Sequence, residues 1–203
     1  MQALRPELET LISPVIEIAF VAPQVLPEAE TMLFTSAHGV RGYLAAGGQA
    51  GLAYCVGRAT ARVAQDAGFE VLDVAPDAAT LWPRLARETR GVLHARGAHV
   101  AVDFATLPMI DSVVVYEQPL VALSGLALAA LQGPRPVLAP LFSPRTARTF
   151  AAQAQGAEAL WAIFISQKAK EAAQGLVTER SCVAQTPDTA GMVKACLRLI
   201  DSL

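Results

Sequence analysis

The chain is expected to be an α/β protein of two similar domains, each a parallel sheet flanked by helices, joined by a two-stranded β bridge. Three observations lead there. Apolar strand-like runs alternate with stretches of helical period along the whole length, which implies parallel sheets covered by helices on both faces. The order of elements occurs twice. Two further apolar segments belong to neither copy and flank the first of them.

The duplication is clearest at two strand ends. LFTSAHGVRGYL, from Leu33, reads as a strand that stops at Thr35 and Ser36 and turns into a helix; LFSPRTARTF, from Leu141, has the same grammar. Each is followed by another strand that breaks on small or polar residues, AYCVGRATARVAQDAGF from Ala53 and AIFISQKAKEAAQGL from Ala162. Each half closes with a polar stretch and a helix, PDAATLWPRLAR from Pro76 and PDTAGMVKACLRLI from Pro187. The spacing is about 110 residues, far longer than a solenoid period. A chain of 203 residues therefore reads as two domains of about 100 residues each.

Taken in order, strands are expected at 10–20, 31–36, 52–57, 70–74, 91–95, 111–117, 136–143, 160–166 and 180–184. Helical period marks 41–46, 59–67, 80–87, 120–131, 146–155, 168–174 and 189–202. The two extra segments, SPVIEIAFVAP from Ser13 and SVVVYEQPLVAL from Ser112, alternate apolar and polar residues. If the chain leaves one domain, builds the other and returns, they run side by side as the bridge. The first domain is then discontinuous, 1–17 with 117–203, and the second is 18–116.

Composition narrows the function classes. Residues are 53% hydrophobic and 17% charged, with a mean hydropathy of +0.39 that the many alanines explain. No uninterrupted apolar run reaches the roughly 18 residues of a membrane span, and MQALRPELET lacks the cationic and apolar regions of a secretion signal. A cytoplasmic protein without membrane contact is expected. The formal charge of −2 argues against nucleic acid, which needs a concentrated basic face. Cys55, Cys182 and Cys196 form no CxxC or His/Cys cluster and read as buried reduced thiols. No phosphate-loop, dinucleotide, zinc-protease or serine-hydrolase motif is present, and no metal or cofactor is expected. His38, His94 and His99 are scattered and read as loop or surface histidines. A monomer is the default.

Chemistry is expected at the carboxyl ends of the strands, where loops lead into helices. A helix start offers unpaired N–H groups and the positive end of the dipole, so a carboxylate or phosphate docks there. Thr35, Ser36, Thr60 and Ser143 add hydroxyls, although a hydroxyl before a helix also serves simply as its cap. Gly57 and Gly97 let a ligand approach the backbone, or are plain turn glycines. Arg58, Arg96, Arg145 and Lys168 supply cations if they are not merely solvated. Two domains with such ends facing each other would make a cleft rich in anion donors. Tyr116 ends the strand SVVVY where the return bridge begins, which would point its phenol into that cleft. The phenol either donates a proton to a departing hydroxyl or packs at the bridge with its oxygen in water.

FTSAHGV, CVGRATARVAQDAGF, VVVYEQP and FSPRTARTF, in that order, resemble the uroporphyrinogen-III synthase family from about Ser13 to the end. The resemblance implies two α/β domains joined by a two-stranded ladder, with the linear tetrapyrrole hydroxymethylbilane bound between them and no cofactor. It implies loss of the terminal hydroxyl to an azafulvene, attack through a spiro intermediate and closure with ring D inverted, a reaction governed mainly by positioning. By the same resemblance Tyr116 corresponds to the tyrosine that assists hydroxide departure. Substrate binding falls to Thr35, Ser36, Gly57, Arg58, Ala59, Thr60, Arg96, Gly97, Ser143, Pro144, Arg145, Ser166, Gln167 and Lys168. A transient contact with the preceding enzyme of the pathway is also implied.

Two departures from the family pattern stand out. Ser166, Gln167, Lys168 and Ala169 replace a Gly-Pro-Thr-Thr-like turn. Ahead of ETLISPVIEI, where the family has a strand and a helix with a Thr-Arg-Pro-like turn, this chain has MQALRPE. Either the start is misassigned, or the first domain lacks that strand and most of the helix and exposes a strand edge. The rival to an enzyme is a non-catalytic small-molecule binding or sensor protein on the same two-domain scaffold; a periplasmic-type binder is opposed by the missing signal.

Overall fold

A computed structural model describes residues 8–100 and 102–201, so MQALRPE lies outside the described residues. The chain divides into two compact units, Met1–Glu17 with Leu120–Leu203 and Ile18–Pro119.

The inner unit begins with β1 (Ala19–Phe20), β2 (Thr31–Phe34), α1 (Ala37–Ala45), β3 (Leu52–Val56), α2 (Arg58–Asp66) and β4 (Glu70–Ala75). It continues through α3 (Ala78–Leu85), β5 (Val92–Gly97), a single 3-10 turn (Phe104–Thr106) and β6 (Ile110–Glu117). The strand order is β1-β6-β5-β2-β3-β4, parallel except for β1 against β6. The centre falls on β2 because every residue of TMLF is apolar or can be buried, and all four are. Successive side chains of β2 serve opposite layers: Met32 and Phe34 join Val40, Tyr43 and Phe69 on one face, Leu33 joins Leu81, Leu85 and Phe104 on the other. Full burial of Leu33 and Phe34 stabilises the fold by about 2 kcal/mol each. The outermost β4 alternates exposed and half-buried positions, as an edge strand tolerates.

Helix α1 lies hard against this sheet. A Cβ at Gly39 would sit 2.5 Å from the Ala95 carbonyl oxygen, and one at Gly42 would sit 2.6 Å from that of Val115. The two glycines, one helical turn apart, present a bare backbone strip to β5 and β6.

Across β3, Tyr54 donates its phenol proton to Glu88 at 2.6 Å, and Arg90 closes a bidentate pair on the same carboxylate at 3.1 and 2.9 Å. These bonds, Arg90 first and Tyr54 second, hold the Glu88 carboxyl down at about 2, below its ordinary 4.5. A depressed folded-state value contributes stability that is complete above about 4.5 and disappears as the pH falls towards about 2. The urea midpoint of the parent is expected to fall across that window by more than that of Glu88→Gln; parallel pH profiles would refute the contribution.

The outer unit contains α4 (Gly125–Leu131), β7 (Val137–Leu141), α5 (Pro144–Gln153), β8 (Leu160–Phe164), α6 (Gln167–Ala172), β9 (Arg180–Val183) and α7 (Thr189–Ile200). Its sheet is β7-β8-β9, all parallel, with LWAIF of β8 buried throughout. Val137 donates to the Ala159 carbonyl and Leu141 accepts from the Ile165 amide, one residue either side of β8, so the alternation along β7 turns Pro140 to the opposite edge. Cys55 and Cys196 are buried and Cys182 half-buried; burial pushes the first two thiols up to about 11.

Two expectations are corrected. The segment from Ser13 does not form a strand over 10–20: Ile16 makes an isolated antiparallel bridge to Leu120, and only Ala19 and Phe20 pair continuously, with Glu117 and Tyr116. Pro119, which has no N–H, falls between Glu117 and Leu120 and interrupts the ladder. SVVVY is more than a connector, because β6 pairs in parallel with β5 from Ile110 to Tyr116.

Candidate functional site

In the inner unit, parallel pairing brings the carboxyl ends of β2, β3, β5 and β6 to one edge of the sheet. The chain runs β2, β3, β4 to one side and then returns to place β5 on the other side of β2. The ends of β2 and β5 therefore form the topological switch point, the place where open α/β sheets bind ligands.

Thr35 and Ser36 follow β2 there. Ser36 caps α1, its Oγ accepting from the His38 amide at 3.1 Å, which uses an oxygen lone pair and leaves the hydroxyl proton to donate elsewhere. Thr35 Oγ1 lies 3.2 Å from Nε2 of His94. That histidine is a correction to the sequence reading: it is fully buried in β5, edge-on to the Phe104 ring at 5.5 Å. Burial first, and then the Arg96 charge, bring its imidazole down to about 4, against a small opposing pull from Asp103.

Arg96 donates from Nη1 to the Gly97 carbonyl at 3.0 Å, while its Nε is buried without a partner among the described residues. At Gly97 a Cβ would stand 2.6 Å from Cε2 and Cζ of Tyr116. The space over this glycine thus holds the Tyr116 ring. Tyr116 is buried at the end of β6, and its ring centroid lies 5.7 Å from that of His38.

The neighbouring strand end, at β3, differs from the rest. Gly57 enters α2 with φ +81° and ψ 140° and offers no side-chain cap, whereas α1, α3, α4, α5, α6 and α7 each have a Ser or Asp oxygen in that role. A Cβ at Gly57 would meet nothing within 4 Å, and no side chain caps the first amides of α2. Beside them is an open depression of about 760 Å³ lined by Gly57, Arg58, Ala61, Gln65 and Val74 to Pro76. Arg58 and Ala59 are exposed and Thr60 is buried.

The outer unit repeats the plan. Ser143 caps α5, accepting from the Thr146 amide at 3.0 Å with the two hydroxyl oxygens 2.8 Å apart; Pro144 occupies the first helical turn, and Arg145 is half-buried. Ser166 caps α6 through the Ala169 amide at 3.3 Å. Gln167 and Lys168 are exposed, with the Gln167 amide donating to Glu171 at 3.2 Å. Because β7 and β8 are adjacent and parallel, α5 and α6 start side by side.

Within the inner unit the structure thus collects Thr35, Ser36, Arg96, Gly97 and Tyr116 at one place, with Gly57 to Thr60 at the next strand end. Sequence reasoning missed His94 as a partner of Thr35. The available signal was its strand, VLHARG, which lies between β2 and β6 and is buried on both faces. Among the described residues no helix is long and apolar enough to cross a membrane, and no group of three or more His, Cys, Asp or Glu residues could hold a metal ion.

Each of the two α/β units places helix starts and hydroxyls at adjoining strand ends, where open α/β sheets bind small molecules. The family model of uroporphyrinogen-III synthase HemD matches residues 5–194, and the chain belongs to that family. Its function is that of the family, the formation of uroporphyrinogen III in tetrapyrrole biosynthesis, with hydroxymethylbilane as substrate. None of the curated proteins compared with the chain matches it. Among solved structures, uroporphyrinogen-III synthetase from Helicobacter pylori 26695 is 22% identical with a TM-score of 0.70, covering 91% of each chain. Thermus thermophilus uroporphyrinogen III synthase is 17% identical with a TM-score of 0.42, covering 85% of this chain and 79% of its own. The first of these likenesses supports the fold.

Proposed function

We propose that the chain closes hydroxymethylbilane as a hydro-lyase without a cofactor, in the cytoplasm, binding the acidic substrate at helix starts that follow strand ends. The observation that carries this reading is the pairing of helix starts: α1 and α2 follow neighbouring β2 and β3, and α5 and α6 follow neighbouring β7 and β8. The product bears eight carboxylates, and each helix start offers N–H donors and a positive dipole end for one of them. In the inner unit Thr35, Ser36, Gly57, Arg58, Ala59, Thr60, Arg96 and Gly97 serve this purpose. Ser143, Pro144, Arg145, Ser166, Gln167 and Lys168 serve it in the outer one.

Tyr116 acts on the leaving group. Its phenol donates a proton to the terminal hydroxyl, which departs as water and leaves an azafulvenium cation; the phenolate takes back the proton that ring D releases on closure. Attack by the other terminal ring gives a spiro intermediate, and its rearrangement closes the ring with D inverted. Most of the acceleration comes from holding the reacting carbons in one orientation, so that the spontaneous closure to the non-inverted isomer is outrun.

Freshly generated hydroxymethylbilane supplied to the chain, with the products oxidised and separated by chromatography, is expected to yield the type III porphyrin. Type I porphyrin alone, formed at the uncatalysed rate, overturns the proposal. Arg58→Ala tests the grip at α2: KM should rise about threefold to tenfold at low salt and by less at high salt, with an unchanged melting temperature because the side chain is exposed. A salt-independent KM equal to the parent's would remove Arg58 from the site.

A further inference from the structure

We propose that His94 is a positioning residue of the synthase: its Nε2–H donates to Thr35 Oγ1 and thereby turns the Thr35 hydroxyl proton outward, onto a substrate carboxylate at the β2/β5 switch point. The proposal rests on the function above and adds the group that sets the polarity of its Thr35 contact.

Three observations carry it. The pair is placed by the fold, since β2 and β5 are hydrogen-bonded neighbours with Leu33 opposite His94, and Thr35 is the first residue beyond β2. The bond is tied at one end only: the ring is fully buried, Nε2 lies 3.2 Å from Thr35 Oγ1, and Nδ1 is buried with no partner among the described residues. Thr35 itself is half-buried, at the start of the loop into α1.

A neutral imidazole has one N–H and one bare nitrogen, and burial together with the Arg96 charge keeps this one neutral. If the proton sat on Nδ1, a buried donor would be stranded and the bare Nε2 would draw the threonine proton inward. An anion in the loop would then meet oxygen lone pairs. With the proton on Nε2, only a lone pair is stranded, which is the lesser cost in a buried site. The imidazole donates to Thr35, and the threonine proton is the one group left to point outward. The tautomer that satisfies the interior is the one that makes Thr35 a donor.

Nitrogen-15 NMR of the ligand-free parent chain, labelled at histidine and assigned with His94→Gln, tests this directly. His94 should show a protonated Nε2 and a bare Nδ1 at neutral pH; a protonated Nδ1, or an imidazolium, overturns the proposal. In the assay, His94→Leu should raise KM about threefold to tenfold, the worth of the neutral hydrogen bond that holds the Thr35 proton outward, with kcat within twofold. His94→Gln, whose amide can donate to Thr35, should recover most of that loss, and Thr35→Val should add little in the His94→Leu background. A folded His94→Leu variant with the parent's KM overturns the proposal, as does a full further loss on adding Thr35→Val. If His94→Leu does not fold, the tautomer of the parent decides. Failure of the synthase function itself would appear separately, as type I porphyrin from the parent chain.

Discussion

Tyr116→Phe is expected to lower kcat for closure by about 100-fold or more, the range in which a positioned proton donor acts, while KM and the melting temperature stay near the parent's. The reason lies in what the substitution removes. The ring rests on the bare face of Gly97 through Cε2 and Cζ as well as its oxygen, and lies beside the His38 ring; phenylalanine retains the carbon atoms of both contacts. Only the phenol oxygen is lost. Slower closure also gives the spontaneous reaction time to compete, so the type I fraction should grow as kcat falls. A variant whose kcat stays within twofold of the parent would exclude the phenol from the chemistry and reduce Tyr116 to packing.

Gly42→Leu should have the largest effect on stability. Its first added carbon would stand 2.6 Å from the Val115 carbonyl oxygen, a backbone atom of β6 that cannot swing aside. Helix α1 must lift or tilt, at a cost of about 3 kcal/mol or more. For a unit of about 100 residues that lowers the melting temperature by roughly 12 °C or more. Gly125→Ala is the natural control. An added Cβ there meets nothing within 4 Å, and stability should hold or rise by about 0.5 kcal/mol. Thermal unfolding followed by circular dichroism separates the two, and equal melting temperatures would refute the close contact of α1 with the sheet.

Legibility in the sequence followed the range of the interactions. Ser36 and Ser143 were recognisable because a cap is local: the hydroxyl and the amide it accepts from lie two or three residues apart. The alternation of strands and helices was equally local, and it led to parallel sheets. The role of SVVVY was misjudged because alternation cannot say which neighbour a strand will find, and β6 owes its place in the sheet to β5. His94 was read as a loop residue since its burial depends on β2, β6 and the ring of Phe104, none of them visible in HARG. Gly97 carried a similar ambiguity. Its missing side chain reads as room for a ligand until Tyr116, nineteen positions away, is found lying on it.

Pro140 has a consequence for how the molecule behaves in company. Among the described residues no strand pairs with the edge of β7 turned away from β8, and that edge loses one of its amide protons to the pyrrolidine ring. An incoming extended chain would find a gap in the row of donors there, and zippering would stall within a few residues. Replacing that single ring with an ordinary residue would restore a continuous template and make concentrated solutions of the protein prone to clump.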